Sequence, residues 1–396
     1  MTDWPVKTLG EVALVGAGNS APQDKELFKG GMHRFVRTSD VGQVRVGRLG
    51  KSADLLNDAG AEGLREFRAG VTLMPKSGAS TFLNHRVQLT KPCFVSSHLA
   101  VVDPNPKVMD DTFIFYFLQT VRSQDLIQDQ SYPSLNLPAI SGIKVLVPPL
   151  EEQKRIVALL DAATARVTEL TACYEKARTH ANNLFASALR DALAPSDSWP
   201  VKRLGDLCLF VRGPFGGSLK KSVFVSTGHA VYEQQHAISG KFDKFRYFVS
   251  ASKFQEMKRF EVFPGDILMS CSGTIGKTVI VPVGAPAGII NQALLKLSCS
   301  EKLNNQYLCV WMRSIYFQEA VFASVVGVAL QNVASVAILK NIPISLPPME
   351  QQKQIVAQLD LMRSKTSEMV SAYDAKLQAA KDLRQSILEA AFAGDL

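Results

Sequence analysis

The sequence predicts an α+β fold in which two related globular domains are separated by two long antiparallel helices that form a coiled coil. Three observations give this prediction: a repeat that spans the chain, a heptad pattern after each copy, and a 46% hydrophobic composition that can supply a core for each domain. The predicted segments are a first domain over 1–147, a central helix over 148–198, a second domain over 199–346 and a distal helix over 347–396.

The repeat is defined by three pairs of segments with nearly constant offsets. The pairs are WPVKTLGEV from Trp4 with WPVKRLGDL from Trp199, EFRAGVTLMPKSG from Glu66 with EVFPGDILMSCSG from Glu261, and PPLEEQKRIVALLD from Pro148 with PPMEQQKQIVAQLD from Pro347. The first two pairs have an offset of 195, and the third has an offset of 199 with ten of fourteen positions identical. The chain therefore consists of two copies of one unit joined head to tail.

A long helix is predicted after each pair of prolines. Apolar residues follow in alternating steps of four and three, the pattern of a coiled-coil seam, and the acidic residues beside the prolines favour a helix N-terminus. Two amphipathic helices that each pack on their own domain are the alternative. The residues predicted at the helix–helix interface are Ile156, Leu160, Val167, Leu170, Tyr174, Leu184, Ile355, Leu359, Met362, Met369, Tyr373, Leu383 and Ile387.

The two helices are predicted to be antiparallel. A helix of about 44 residues is about 66 Å long, whereas a compact segment of about 150 residues has a radius of gyration near 15 Å. The second domain leaves the end of the first helix and must return the chain to the start of the second. An antiparallel pair allows this return without bridging the length of a helix.

Charge and cysteine content limit the class of protein. The net charge is +8, and nearly all of the positive surplus falls in residues 195–346, a balance that suits nucleic acid. Six cysteines without a CxxC pair and an N-terminus without an apolar signal segment favour a reduced, cytoplasmic setting. The uncharged stretch from Ala320 to Leu339 is long enough to span a membrane, but polar residues interrupt it, so buried structure in a globular domain is predicted.

Two related domains on a pseudo-twofold frame could contact duplex DNA about one helical turn apart. The repeats diverge after His33 and His229, so the domains are expected to contact different base sequences of an asymmetric, split target. Arginine pairs well with guanine, Asn and Gln pair with adenine, and lysine neutralises phosphate, although a solvated surface role is the alternative for each residue. The predicted DNA-binding residues are Arg34, Arg37, Arg45, Arg48, Lys76, Gln234, Gln235, Lys241, Lys244, Arg246, Lys258 and Arg259.

Sequence motifs for catalysis are incomplete. The segment SGTIGKT from Ser272 is similar to a phosphate-binding loop, but Cys271 stands where that loop requires glycine. Asp243, Glu256 and Lys258 are residue types found in metal-dependent nucleases, yet such combinations recur by chance. No Asn-Pro-Pro-aromatic stretch and no close pair of histidines is present. We therefore predict no catalytic residue, no metal site and no cofactor on this chain.

The repeated WPVKxLG opening, the GDILMSCSGTIGK segment at 265–277 and the paired PPxExQKxIV helix starts together resemble the specificity subunit of type I restriction-modification enzymes. The resemblance covers essentially the whole chain. It implies that each globular domain is a target recognition domain and that the helices provide docking surfaces for methyltransferase subunits. One departure stands at 70–76, where GVTLMPK in the first copy replaces the family-like GDILMSC of the second.

The resemblance also implies partners and cofactors. It implies double-stranded DNA, two methyltransferase (modification) subunits and restriction/translocase subunits as partners, and no membrane. S-adenosylmethionine, ATP and Mg²⁺ are expected on the partner subunits, which would methylate adenine and cleave DNA. A self-sufficient restriction and methylation enzyme is the alternative, and a structural scaffold that does not bind DNA is a third hypothesis.

Overall fold

The structure is a computed structural model of the 396-residue chain. It describes residues 4–127, 133–215, 217–271, 276–323 and 336–395. Two stretches named above extend beyond these limits, because Ser272–Ile275 of the phosphate-loop-like segment and 324–335 of the uncharged stretch lie outside the described residues. No helix in the described ranges is both long enough and apolar enough to cross a membrane.

The first half of the chain forms short strands and helices followed by one long helix. Its strands are β1 (Val6–Thr8), β2 (Ala13–Ala17), β3 (His33–Val36), β4 (Val46–Leu49), β5 (Asp54–Leu56), β6 (Glu66–Phe67), β7 (Thr72–Pro75), β8 (Arg86–Leu89), β9 (Cys93–Val95), β10 (Leu99–Pro104) and β11 (Lys144–Leu146). Its helices are α1 (Leu9–Val12), α2 (Thr38–Val44), α3 (Asp58–Ala61), α4 (Asp111–Thr120), α5 (Leu137–Ser141) and the long α6 (Leu150–Ala192).

The second half repeats this plan. Its strands are β12 (Val201–Arg203), β13 (Cys208–Arg212), β14 (Phe224–Val225), β15 (His229–Tyr232), β16 (Phe248–Val249), β17 (Ile267–Ser270), β18 (Thr278–Ile280), β19 (Gly288–Ile290), β20 (Leu294–Cys299) and β21 (Pro343–Ser345). Its helices are α7 (Leu204–Leu207), α8 (Gln234–Ser239), α9 (Ala251–Glu256), α10 (Asn305–Trp311), α11 (Ile315–Ala323), α12 (Val336–Asn341) and the long α13 (Met349–Ala393).

The chain divides into two compact units that do not follow the sequence repeat strictly. The first unit is Met1–Lys176 with Asp374–Leu396, and the second is Ala177–Tyr373. Each unit therefore contains one globular domain, the first part of one long helix and the last part of the other.

The sheets of the two units have matching strand orders. In the first unit the orders are β2-β10-β7-β8-β4 and β5-β3-β9-β6, with β1 paired to β11. In the second unit the orders are β13-β20-β17-β18 and β14-β16-β15-β19, with β12 paired to β21. Both units contain a parallel pair at equivalent places, β3 with β9 and β15 with β19, and the first unit contains a second parallel pair, β4 with β8. Strands β4 and β6 extend sheets of the first unit only, and β14 extends a sheet of the second only. In the second unit Glu261, which is equivalent to Glu66 of β6, forms an isolated bridge with Ile289.

The long helices are antiparallel within each unit. In the first unit, Ile156 and Leu160 near the start of α6 share one buried core with Leu388 and Ala391 near the end of α13. In the second unit, Ile355 and Leu359 near the start of α13 share a core with Leu193, just beyond the end of α6, and with neighbouring α6 residues. The start of each helix therefore meets the end of the other, and the predicted α+β fold with antiparallel long helices is confirmed.

The buried side of each long helix departs from the predicted register at four residues. The side chains that are 40–49% exposed are Leu170, Leu184, Met369 and Leu383. The next residue along is half-buried in each case, namely Thr171, Phe185, Val370 and Arg384. A four-residue step replaces the predicted three-residue step after Val167 and after Thr366, which gives eleven residues in three turns. That period, close to 3.6 residues per turn, keeps the buried stripe on one side of each helix.

The other nine residues predicted at the helix–helix interface are buried or half-buried. They are Ile156, Leu160, Val167, Tyr174, Ile355, Leu359, Met362, Tyr373 and Ile387.

A buried glutamine explains the PPxExQ motif at the start of α6. Gln153 is completely buried, and its Nε2 donates to the carbonyl oxygens of Val108 at 2.9 Å and Pro148 at 2.8 Å. Its Oε1 accepts a hydrogen bond of 2.7 Å from the backbone N–H of Asp110, the N-cap of α4. The amide thus satisfies backbone groups from the domain and from the turn before the helix, and it fixes one to the other.

The second copy repeats this arrangement atom for atom. Gln352 is also completely buried, and its Nε2 donates to the carbonyl oxygens of Lys302 at 3.0 Å and Pro347 at 2.9 Å. Its Oε1 accepts a hydrogen bond of 2.8 Å from the backbone N–H of Asn304, the N-cap of α10. The repeated glutamine is therefore required by the attachment of each domain to the long helix that follows it.

We expect Gln352→Met to destabilise the chain by about 2–5 kcal/mol, because it leaves two carbonyl groups and one N–H unpaired in a buried site. Gln351→Met is the matched control, since Gln351 precedes it on the same helix and is exposed. Urea unfolding followed by circular dichroism measures the difference. Equal midpoints for the two variants would contradict the proposed attachment.

Candidate nucleic-acid interface

In the second unit, several loops meet where the two parallel strands end. Asn291, which follows β19, donates its backbone N–H to the carbonyl oxygen of Tyr232 at the end of β15, at 3.0 Å. Cys271, which follows β17, donates to the carbonyl oxygen of Ala293 at 2.9 Å. Gly213, which follows β13, donates to the carbonyl oxygen of Leu294 at 2.9 Å. We call this group the second edge site, and it consists of residues 213–215, 233–235, 271 and 291–293.

The first unit brings the equivalent loops together. Ser96, after β9, donates its backbone N–H to Val36 at the end of β3, at 2.9 Å. Asn19, after β2, donates to Val95 at 2.6 Å, and Lys76, after β7, donates to His98 at 3.0 Å. We call this group the first edge site, and it consists of residues 18–20, 37–39, 76 and 96–98. The carboxyl ends of parallel strands are a common place for binding sites, because loops from adjacent strands converge there.

Close backbone approach at both edge sites requires glycine at one position. A Cβ atom on Gly18 would lie 2.2 Å from the carbonyl oxygen of Val95, and one on Gly213 would lie 1.9 Å from that of Asn291. These two glycines are equivalent at the offset of 195. Both sites therefore share a backbone framework that does not depend on the differing side chains around it.

Helices α2 and α8 begin at the edge sites. In both, a side chain in the first turn accepts a hydrogen bond from the backbone N–H of the residue before the helix, but the accepting group differs. Asp40 Oδ2 accepts from the backbone N–H of Arg37 at 2.7 Å in the first unit. His236 Nδ1 accepts from the backbone N–H of Glu233 at 2.9 Å in the second. Because Nδ1 is the acceptor, Nε2 carries the proton and donates to the carbonyl oxygen of Lys244 at 3.1 Å. The divergent segments after His33 and His229 thus share the backbone geometry of the helix start and differ in their side chains.

Several of the residues predicted to bind DNA lie at or beside the first edge site, but two of them have intramolecular partners. The guanidinium of Arg37 is ion-paired with Asp54 and lies 5.5 Å and 5.2 Å from the ring centroids of Phe28 and Phe35. Arg48 Nη2 lies 3.5 Å from Asp161 Oδ1 on α6. Arg48 is thus directed to the long helix and Arg37 to its own domain.

The remaining predicted residues of the first unit are less constrained. Lys76 is half-buried within the edge site, and Arg34 is half-buried on β3. Arg45 is exposed at the end of α2 with a φ of 66° and ψ of −73°, a conformation that costs a residue with a side chain about 1–3 kcal/mol.

In the second unit, only Gln234 and Gln235 of the predicted residues belong to the edge site. Gln235 is exposed, and its Nε2 donates to Glu233 Oε2 at 3.3 Å. Lys258 is paired with Glu261 at 2.9 Å, and Arg246 lies 5.0 Å from the ring centroid of Tyr247. The structure places the remaining three predicted residues as exposed side chains, Lys241 and Lys244 after α8 and Arg259 after α9.

The sequence difference between GVTLMPK at 70–76 and GDILMSC at 265–271 changes the charge that is buried in each unit. In the second unit Asp266 and Lys296 are both buried, with Nζ 3.6 Å from Oδ2. At the offset of 195, Val71 and Val101 occupy these two positions in the first unit, and both are completely buried. The charged pair of one core is thus an apolar pair in the other.

The first unit has ion pairs around Arg68 instead. Arg68 pairs with Asp103 at 2.8 Å and with Asp111 at 2.6 Å. The hydrogen bond to Asp111 raises the pKa of Arg68, so this arginine keeps its charge. The sequence difference therefore changes the electrostatics beneath the sheet and leaves the loop at each edge site in place. No single position in the sequence reveals this exchange, because the two ion pairs involve different residues.

The nuclease-like residues do not form a site. Glu256 pairs with Lys253 at 2.7 Å, and Lys258 pairs with Glu261. In the part of the chain that the structure describes, no group of three His, Cys, Asp or Glu side chains could hold a metal ion.

Sequence reasoning missed exposed side chains of the second edge site and its surroundings. Phe215 is 94% exposed, and Gln292 is exposed beside Asn291. The glycine-flanked aromatic in GPFGG is the available signal in the sequence.

A protein-family model described as the type I restriction modification DNA specificity domain matches residues 1–177 and again 196–377. The chain belongs to the type I restriction-modification specificity family. The predicted family and the predicted role in DNA recognition are thereby confirmed. Membership also implies a specificity role within a larger enzyme, in agreement with the prediction that the chain is not itself the enzyme.

A similar protein agrees with this assignment, and two solved structures have the same fold. A Haemophilus influenzae protein assigned as a type I restriction enzyme specificity subunit is 26% identical over 324 residues, covering 78% of this chain and 80% of the relative. A chain in a structure of a type I restriction-modification system, concerned with complex assembly and conformational transition, is 22% identical with a TM-score of 0.77 and covers 99% of this chain and 98% of its own. The crystal structure of the HsdS subunit from Thermoanaerobacter tengcongensis is 22% identical with a TM-score of 0.64, covering 100% and 98%.

Proposed function

We propose that this specificity subunit recognises an asymmetric, two-part sequence in duplex DNA, with one half contacted at each edge site. The observation that carries the proposal is the pair of edge sites, which have equivalent backbone geometry and different exposed side chains. Equivalent frames allow equivalent docking on two half-sites, and different side chains give the halves different sequences. The surplus of positive charge in the second domain supports phosphate contacts there.

We further propose that the chain acts by positioning partner subunits. Two methyltransferase subunits would dock on it, and restriction/translocase subunits would join the assembly. S-adenosylmethionine, ATP and Mg²⁺ would be bound by those partners, and adenine methylation and DNA cleavage would take place on them. The match of the specificity-domain model to both halves of the chain supports this division of labour.

Purified chain incubated with DNA, Mg²⁺ and S-adenosylmethionine is expected to give no methylated or cleaved product, whereas addition of its methyltransferase subunits restores methylation. Binding of the chain to its target duplex should weaken steeply as salt rises from 50 to 200 mM, because phosphate contacts release counterions. Filter binding and mass spectrometry of adenine provide the measurements. Stoichiometric product from the chain alone would support the self-sufficient enzyme instead.

A further inference from the structure

Phe215 stands out of the second edge site on a loop that is anchored on both sides. Gly213 is held by its hydrogen bond to Leu294, Pro214 is buried, and Leu219 is buried in a core with residues of β15, β16 and β19. The backbone N–H of Ser218 donates to the carbonyl oxygen of Phe215 at 2.9 Å, which closes a turn. The phenylalanine ring itself is 94% exposed. An anchored loop thus presents a large apolar ring to solvent, where the hydrophobic effect disfavours it.

The chain segment that carries this ring is basic. Residues 207–232 contain no Asp or Glu but contain three basic residues, and Lys220 and Lys221 among them are exposed. Lys277, just before β18, is exposed as well. An exposed aromatic ring on a basic segment suits the stacked bases and phosphates of DNA.

We propose that Phe215 inserts its ring between stacked bases of the half-site bound by the second recognition domain. The inference rests on the proposed function, since it assigns a contact at one of the two edge sites. The lysines would neutralise the flanking phosphates, and partial unstacking would be cheapest at a flexible pyrimidine–purine step. Ser20 occupies the equivalent position in the first unit, so the first half-site would remain stacked.

Val283 provides a matched control on the same domain. It is 93% exposed, close to the value for Phe215, and it lies in a turn closed by a hydrogen bond from Ala285 to Pro282. That turn follows β18 and lies near the start of β17, since Val281 bonds to Asp266, whereas Cys271 of the edge site follows the end of β17. A substitution of Val283 therefore removes an exposed apolar side chain without removing the proposed base contact.

The test uses the chain assembled with its methyltransferase subunits and duplexes of the methylated sequence. Each duplex carries 2-aminopurine, whose fluorescence rises when it is unstacked, at one purine other than the methylated adenine. Wild-type protein should raise the fluorescence several-fold at one step of the second half-site and at no step of the first. Phe215→Ala should abolish this rise and weaken binding about 5- to 150-fold. Phe215→Trp should preserve both, and Val283→Ala should leave both unchanged.

Three results would overturn the inference. These are a fluorescence rise that persists in Phe215→Ala, an unchanged affinity in that variant, and a loss in Phe215→Trp equal to that in Phe215→Ala. A circular dichroism melt that matches wild type shows that each variant is folded. Failure of the proposed function is distinct, because wild-type protein would then show no defined bipartite target before any variant is compared.

Discussion

Replacement of residues 1–147 with the corresponding domain of another family member is expected to change one half of the methylated sequence and to leave the other half unchanged. The loops of the first edge site all come from residues 18–98, and those of the second all come from 213–293. Neither site borrows a loop from the other domain. Sequencing of methylated adenines in cells that carry the exchanged subunit and its partners measures the outcome.

The exchanged domain must keep its contacts with the long helices of its own unit. Tyr116 Oη donates to Asp161 Oδ1 at 2.6 Å, and the ring of Phe392 lies 5.0 Å and 5.5 Å from the ring centroids of Phe113 and Phe117. The family member that supplies the replacement domain should therefore have tyrosine and phenylalanine at these α4 positions. The reciprocal exchange of 199–346 should change only the other half. An unchanged sequence, or changes in both halves after one exchange, would refute the assignment of one half per domain.

Insertion of seven residues after Glu175 and seven after Asp374 is expected to lengthen the unspecified spacer between the half-sites by about three base pairs. Each helix gains about 10 Å at 1.5 Å per residue, and duplex DNA rises about 3.4 Å per base pair. The two insertion points are equivalent at the offset of 199 and fall at the boundary between the compact units, so contacts within each unit are kept. Methylated-adenine sequencing again gives the spacer directly.

Insertion into one helix alone is the control for this prediction. It would offset the buried positions of one helix against those of the other, so we expect a lower unfolding temperature and loss of methylation. A double insertion that restores stability but leaves the spacer unchanged would show that helix length does not set the separation of the half-sites.

The large features of this chain could be predicted because they repeat. Ten identical positions of fourteen at the helix starts fix the repeat, and alternating steps of apolar residues predict the helices. The exact register could not be predicted, since Leu170 and Thr171 are both acceptable next to a helix interface and only packing decides between them. The choice falls on Thr171, whose Oγ1 donates to the carbonyl oxygen of Val167 at 2.7 Å within its own helix.

The availability of individual side chains at the nucleic-acid interface was also harder to predict from the sequence. Arg37 was predicted to contact DNA from its residue type, yet Asp54 and two phenylalanine rings surround its guanidinium. Those partners are separated from it by up to seventeen residues and become visible only when β3 and β5 are paired. Residue chemistry predicts what a side chain can bind, whereas tertiary structure decides whether it is available.

The contacts of Gln153 and Gln352 have a consequence for how such genes change. Each amide bonds only to main-chain atoms, which every amino acid supplies, so recombination between diverged alleles at this point need not preserve any side chain there. Mosaic genes assembled at the codons of this motif can therefore keep this attachment of domain to helix in one genetic event.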